Sequence, residues 1–159
     1  MQFDGTDREI LSILLKSADT SKAEIARRVG LAASAISERI KRLEEAGIIT
    51  GYAARLNGKA LGAPLLAFVF ISEAKPNQGF DTAAALAGVS GVEEVHKIAG
   101  DDCFICKVRC AGTDELTEIL DTEIDTIPTV TGVRTTIVLK SVLETAPMSG
   151  VNLLAQEVR

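Results

Sequence analysis

The sequence predicts an α+β chain in two parts, a three-helix segment followed by a segment of mixed strands and helices. Three observations predict it. Apolar residues recur at helical spacing through residue 46. From residue 65 onward, short apolar strands and two helical stretches follow the order β-α-β-β-α-β, the ferredoxin-like order. Between the two parts, Asn57-Gly58 and Pro64 are turn and break signals. A length of 159 residues is enough for one ordinary domain or two small ones. The 47% hydrophobic and 25% charged composition is that of a globular protein and argues against disorder.

The first helix is carried by Ile10, Leu11, Leu14 and Leu15, with Thr6 as the expected N-cap and Asp7 and Glu9 in the first turn. Ser21-Lys22-Ala23-Glu24 has the capping-box pattern and opens a short helix that ends near Gly30. A third helix is expected from about Ala33 to Ala46, stopped by Gly47. Ile48 to Leu56 reads as a short strand. These elements form a first domain over residues 1–56, followed by a linker over 57–64.

The second domain is expected over 65–145, with a C-terminal tail at 146–159. Its strands are expected at Leu65–Glu73, Val92–Ala99, Cys103–Cys110 and Gly132–Leu143, and its helices at Asp81–Ala87 and Asp114–Thr126. In this arrangement both helices cover one side of the sheet. The other side is expected to carry Val69, Ile71, Ile105 and Val138 or its neighbours, and either the N-terminal domain or, as the favoured reading, a partner sheet in a homodimer covers it.

Charge separates the two parts. The net charge of −5 is the sum of +2 over residues 1–60 and −7 over residues 61–159, and Lys22–Arg42 alone carries +4. A basic island on an acidic chain points to a local contact with a polyanion rather than general stickiness. The longest strongly apolar run, Leu65 to Ile71, is far below the ~20 residues that span a bilayer. No signal-peptide layout opens the chain, and three cysteines fit a reducing compartment better than a disulfide framework. A cytoplasmic location is the expectation.

Two helices joined at Gly30-Leu31 make a helix-turn-helix candidate, and the third helix carries the argument. At 100° per residue, Ile36, Ile40 and Leu43 form one narrow stripe. Ser34, Glu38, Lys41 and Glu45 lie opposite, with Ser37 beside them and Arg39 and Arg42 at the flanks. Arg and Lys pair with phosphates or guanine edges, Ser reaches either, and Glu accepts from cytosine N4. The candidate DNA contacts are Lys22, Arg27, Arg28, Ser34, Ser37, Glu38, Arg39, Lys41 and Arg42.

The run resembles the helix-turn-helix domain of the Lrp/AsnC family of transcriptional regulators. The matching elements are Asp7-Arg8-x-Ile10-Leu11, Glu24-Ile25-Ala26, Val29-Gly30-Leu31, Arg39-Ile40-x-x-Leu43-Glu44 and Gly47-x-Ile49-x-Gly51-Tyr52. The second half resembles the family's effector-binding domain, and the likeness covers roughly residues 3–145. It implies a winged-type three-helix domain that binds double-stranded DNA and a ferredoxin-like domain that binds a small molecule, often an amino acid. It also implies homodimers that assemble further. By the same resemblance the effector residues are Gly100, Asp101, Asp102, Cys103, Thr135 and Thr136. This chain departs from the family at Ala32, where Ser is common, and at Cys103, where Asp is common.

Other chemistries find less support. Cys103, Cys106 and Cys110 have the wrong placement for tetrahedral zinc, since on one strand Cys103 points away from the other two. His96, the only histidine, lacks a nucleophile and an orienting group around it in sequence. The carboxylate pair Glu93-Glu94 reads as a solvated strand edge, and Asp114-Glu115 as a helix first turn. No metal and no cofactor is expected. The rival reading is an amino-acid-binding regulatory subunit or a small enzyme on the same kind of sheet, without specific DNA recognition.

Overall fold

The computed structural model describes residues 4–74 and 80–144. The tail expected at 146–159 lies outside them. The chain divides into two compact units that meet at Ala54 and Arg55.

The first unit contains α1 (Gly5–Lys16), α2 (Lys22–Val29) and α3 (Ala33–Glu45). The cap of α1 is Asp4, not Thr6. Asp4 accepts from the Asp7 amide at 2.8 Å, and Asp7 reaches back to the Asp4 amide, so the box closes two residues earlier than periodicity suggested. Ser21 caps α2 by accepting from the Glu24 amide. The turn into α3 rests on Gly30 at φ 74°, a left-handed conformation that suits glycine. The amides of Gly30 and Leu31 both return to the Ala26 carbonyl. Ala32 offers α3 no side-chain cap. Ile10, Ile25, Ala26, Ile36 and Ile40 form the core of this unit.

No strand forms over Ile48–Leu56. Gly47 takes φ 67°, and the amides of Ile48 and Ile49 bend back to the Leu43 carbonyl. Those two donors finish the helix and are not available to a ladder.

The second unit is one antiparallel sheet in the order β2-β3-β1-β4, with β1 at Leu65–Glu73, β2 at Val92–Lys97, β3 at Phe104–Cys110 and β4 at Val130–Ile137. Helix α4 (Thr82–Ala87) follows β1. Helix α5 (Thr113–Glu118), with Asp114 and Glu115 in its first turn, continues as a π-helical segment over Ile119–Ile124 before β4. The helix-covered side holds Ala67, Val69 and Ile71 of β1 against Val108, Cys106 and Phe104 of β3. Leu86, Leu116, Ile119 and Ile124 close this core.

The sheet register corrects one expectation. Val69 and Ile71 are buried in the helix-side core, because they pair with Cys106 and Phe104. Side chains alternate across a strand, so the other face takes Leu66, Phe68, Phe70 and Ile105. Part of that face is ionic. Lys107 and Arg109 are nearly buried there and share Glu93 and Glu144. Glu93 is therefore a buried partner of two cations, not part of a solvated edge. Burial works against the charge of Lys107, yet the carboxylates of Glu144 and Glu93 together hold its pKa above the ordinary value.

Candidate nucleic-acid interface and effector loop

Helix α3 buries Ile36, Ile40 and Leu43 and leaves Ser34, Glu38 and Lys41 exposed on its other side. Ser37 is half-buried, and its hydroxyl donates to the Ala33 carbonyl at 2.9 Å. Lys41 lies 3.6 Å from Glu45, an exposed pairing that a phosphate can displace.

The arginines are less free than their positions in the sequence suggest. Arg39 Nη1 donates to Asp4 at 2.7 Å and to Asp7 at 2.8 Å, and Arg42 Nη2 donates to Asp7 at 3.0 Å. Asp7 is fully buried beneath them. Its backbone and side chain therefore serve two purposes, capping α1 and pinning α3. Arg27 and Arg28 both donate to Glu24, whose carboxyl these hydrogen bonds hold down at about 2. Lys22 at the start of α2 is exposed. With Asp4 and Asp7 folded against it, the island of +4 over Lys22–Arg42 falls to +2. Sequence reasoning missed the part played by Asp4. Its spacing to Asp7 is the capping-box spacing, which was the available signal.

The loop between β2 and β3 contains Gly100, Asp101, Asp102 and Cys103. Asp101 is exposed. Asp102 is bonded across the sheet end to Arg134 of β4 at 2.6 Å, and the Ser72 hydroxyl lies 3.4 Å from it. The Arg134 guanidinium lies over the Phe70 ring, 3.9 Å from its centroid, a cation–π arrangement. So this loop and β4 meet within one chain, through a residue that sequence reasoning did not single out. Thr135 pairs with Val69 on the helix-covered side, and Thr136 pairs with Phe68 on the opposite side. Alternation separates the two threonines, and only Thr136 shares a face with Arg134.

Cys103 precedes β3, so strand parity does not govern it. Its amide donates to the Ile71 carbonyl, and the residue packs against the same core as Cys106. All three cysteines are free thiols, and burial pushes Cys106 up to about 11. Among the described residues, no group of three or more His, Cys, Asp or Glu side chains could hold a metal ion. His96 lies on the strand surface with Glu94 at 3.0 Å. No helix among the described residues is long and apolar enough to cross a membrane.

Comparison with known proteins places these features in context. A winged helix-turn-helix DNA-binding family model matches residues 3–50, and the Lrp/AsnC ligand binding domain model matches residues 66–148. The chain is 38% identical over 148 residues to the HTH-type transcriptional regulator FL11 of Pyrococcus abyssi, covering 93% of this chain and 97% of that one. It is 35% identical to the leucine-responsive regulatory protein of Haemophilus influenzae, covering 89% and 87%. Among solved structures, a feast or famine regulatory protein from M. tuberculosis complexed with L-methionine matches with a TM-score of 0.83 at 34% identity. That match covers 90% of this chain and 96% of that one. A transcriptional regulator from Neisseria meningitidis in complex with L-Met matches with a TM-score of 0.86 at 25% identity, covering 96% and 99%.

Proposed function

The chain belongs to the Lrp/AsnC family of transcriptional regulators, and on that premise we propose how its own residues divide the work of a sequence-specific DNA-binding protein. The family is one of regulators, not of enzymes. Helix α3 enters the major groove, with Ser34, Glu38 and Lys41 at the base edges and Ser37 nearer the backbone. Lys22, Arg27 and Arg28 lie toward phosphates. Arg39, bound by Asp4 and Asp7, and Arg42, bound by Asp7, steady the helix. The observation that carries this reading is the division of α3 itself, with three aliphatic side chains fully packed inside and three polar ones left outside.

Two copies pair through the open sheet face around Phe68, Phe70 and Ile105, and the dimers assemble further in the cytoplasm. A dimer presents two α3 helices to half-sites about 34 Å apart. The effector is an amino acid held near Gly100–Cys103, Thr135 and Thr136, with Asp101 or Asp102 accepting from its ammonium and Thr136 and loop amides donating to its carboxylate. Asp102 would then exchange Arg134 for the ligand. The complexes of the two structural neighbours with L-methionine support the ligand class.

The test is selection of bound fragments from random DNA, followed by affinities for the recovered and a scrambled sequence at one salt concentration. A specific regulator prefers its site by about 10³-fold or more. Equal affinity for both sequences refutes specific recognition.

A further inference from the structure

The second unit contains a cleft of about 620 Å³ that the effector loop does not line. It lies where β1 ends, α4 begins and β2 meets β3. Its walls include Glu73, Phe80, Val95, Lys97 and Phe104. The volume is within the ~300–1,000 Å³ range of small-molecule sites.

The register puts the cleft and the effector loop's ion pair on opposite faces of the sheet. Val95 pairs with Cys106 and Lys97 with Phe104, on the helix-covered side. Glu73, past the register shift at Ser72/Glu73, lines the cleft together with Val95, Lys97 and Phe104. Arg134, which holds Asp102, and Phe70, whose ring lies under the Arg134 guanidinium, belong to the other face.

The chemistry of the cleft is specific. The Glu73 side chain is only 9% exposed, and Lys97 Nζ stands 4.0 Å from its carboxylate, beyond hydrogen-bond reach. Lys97 is itself exposed and sits 5.5 Å from the Phe104 ring centroid. A nearly buried carboxylate and a solvent-exposed ammonium thus stand side by side, each with bonding capacity to spare. Phe80, Val95 and Phe104 supply an apolar wall, and 41% of Phe80 is still exposed. The other polar residues are committed. The Asp81 carboxylate caps α4 at the Ala84 amide, and the Thr82 hydroxyl is bonded to Thr129 at 2.7 Å.

We propose that this cleft is a second ligand site, taking a free α-amino acid with an apolar side chain within a single protomer. The ligand's ammonium meets Glu73 and its carboxylate meets Lys97. Both groups sit on one carbon, which matches the close spacing of their protein partners. The side chain lies on Phe80, Val95 and Phe104. A simple anion is repelled by Glu73 and by Asp81, which also lines the cleft, and a simple cation by Lys97, so the cleft favours a ligand that carries both charges. The site is independent of the effector loop reading, and the two fail separately.

Calorimetric titration of the full chain with L-leucine, L-methionine and L-phenylalanine tests it. The tightest ligand is then repeated as its amide and as its des-amino acid. Glu73→Gln and Lys97→Met each weaken binding at this site by about tenfold or more, as do the two analogues. Asp102→Ala leaves it unchanged. Lys97 is exposed, so its variant folds even if the Glu73 variant does not. Absence of binding by all three amino acids overturns the proposal, and so does wild-type affinity in both cleft variants. If Asp102→Ala abolishes all binding while the cleft variants bind normally, the cleft is excluded and the loop reading stands.

Discussion

Replacing Asp7 by Asn should weaken the first unit yet make the protein grip DNA more electrostatically. Asp7 is fully buried and takes hydrogen bonds from Arg39 at 2.8 Å and from Arg42 at 3.0 Å. Asparagine keeps the shape and one acceptor oxygen but not the charge. A charge-assisted bond is roughly twice as strong as a neutral one, so α3 loses part of its anchor and the helical signal melts at lower temperature. The two guanidiniums respond differently. Arg39 still has Asp4 at 2.7 Å. Arg42, with about half of its side chain exposed, has Asp7 as its one ion-pair partner among the described residues and becomes a free cation. Each phosphate neutralised adds about 0.9 to the slope of log K against log salt. The slope for non-specific duplex DNA should therefore steepen by about 1 per protomer. Fluorescence anisotropy across a salt series reads this directly. An unchanged or flatter slope, with the protein still folded, would refute the claim that Asp7 neutralises Arg42.

Three further outcomes follow from the geometry. Val69→Asp places an unpaired charge in the helix-side core and should unfold the second unit, whereas Phe68→Asp on the open face should yield a folded monomer in light scattering. The reverse pattern would contradict the sheet register. Asp102→Ala should abolish the effect of an amino-acid effector on DNA binding while leaving affinity without effector nearly unchanged; a wild-type response in this variant would exclude Asp102 from the effector site. For Glu24, the folded pKa of about 2 lies below the ordinary 4.5, so its contribution to stability is present above about 4.5 and is lost as pH falls toward 2. Glu24→Gln should flatten that part of the melting-temperature profile, and because the group is exposed, high salt should shrink the effect; an acid profile identical to the wild type would rule out the pairing.

The order of elements was legible because each rests on local pattern. Helix α3 shows itself through Ile36, Ile40 and Leu43, and the turn through Gly30. What depended on pairing was not legible. Strand parity alone left both faces of Leu65–Ile71 apolar, and only the register with β3 decides that Val69 points to the helices and Phe68 away. The strand expected at Ile48–Leu56 failed for a similar reason, since the helix end captured its first two amides. At the candidate interface, residue types were readable but their partners were not. Arg39 and Arg42 lie more than thirty residues from Asp4 and Asp7, and no periodicity links them. Arg134 escaped notice because its relation to Asp102 exists only once β4 lies beside β1.

The central claim is that α3 reads base sequence through Ser34, Glu38 and Lys41. Repeating the selection from random DNA with Glu38→Ala and with Lys41→Ala tests it most directly. The account predicts that each variant recovers a site changed at one or two positions in each half, with the discrimination at those positions reduced by about 1–3 kcal/mol. Recovery of the wild-type sequence, at undiminished specificity, by both folded variants would contradict it.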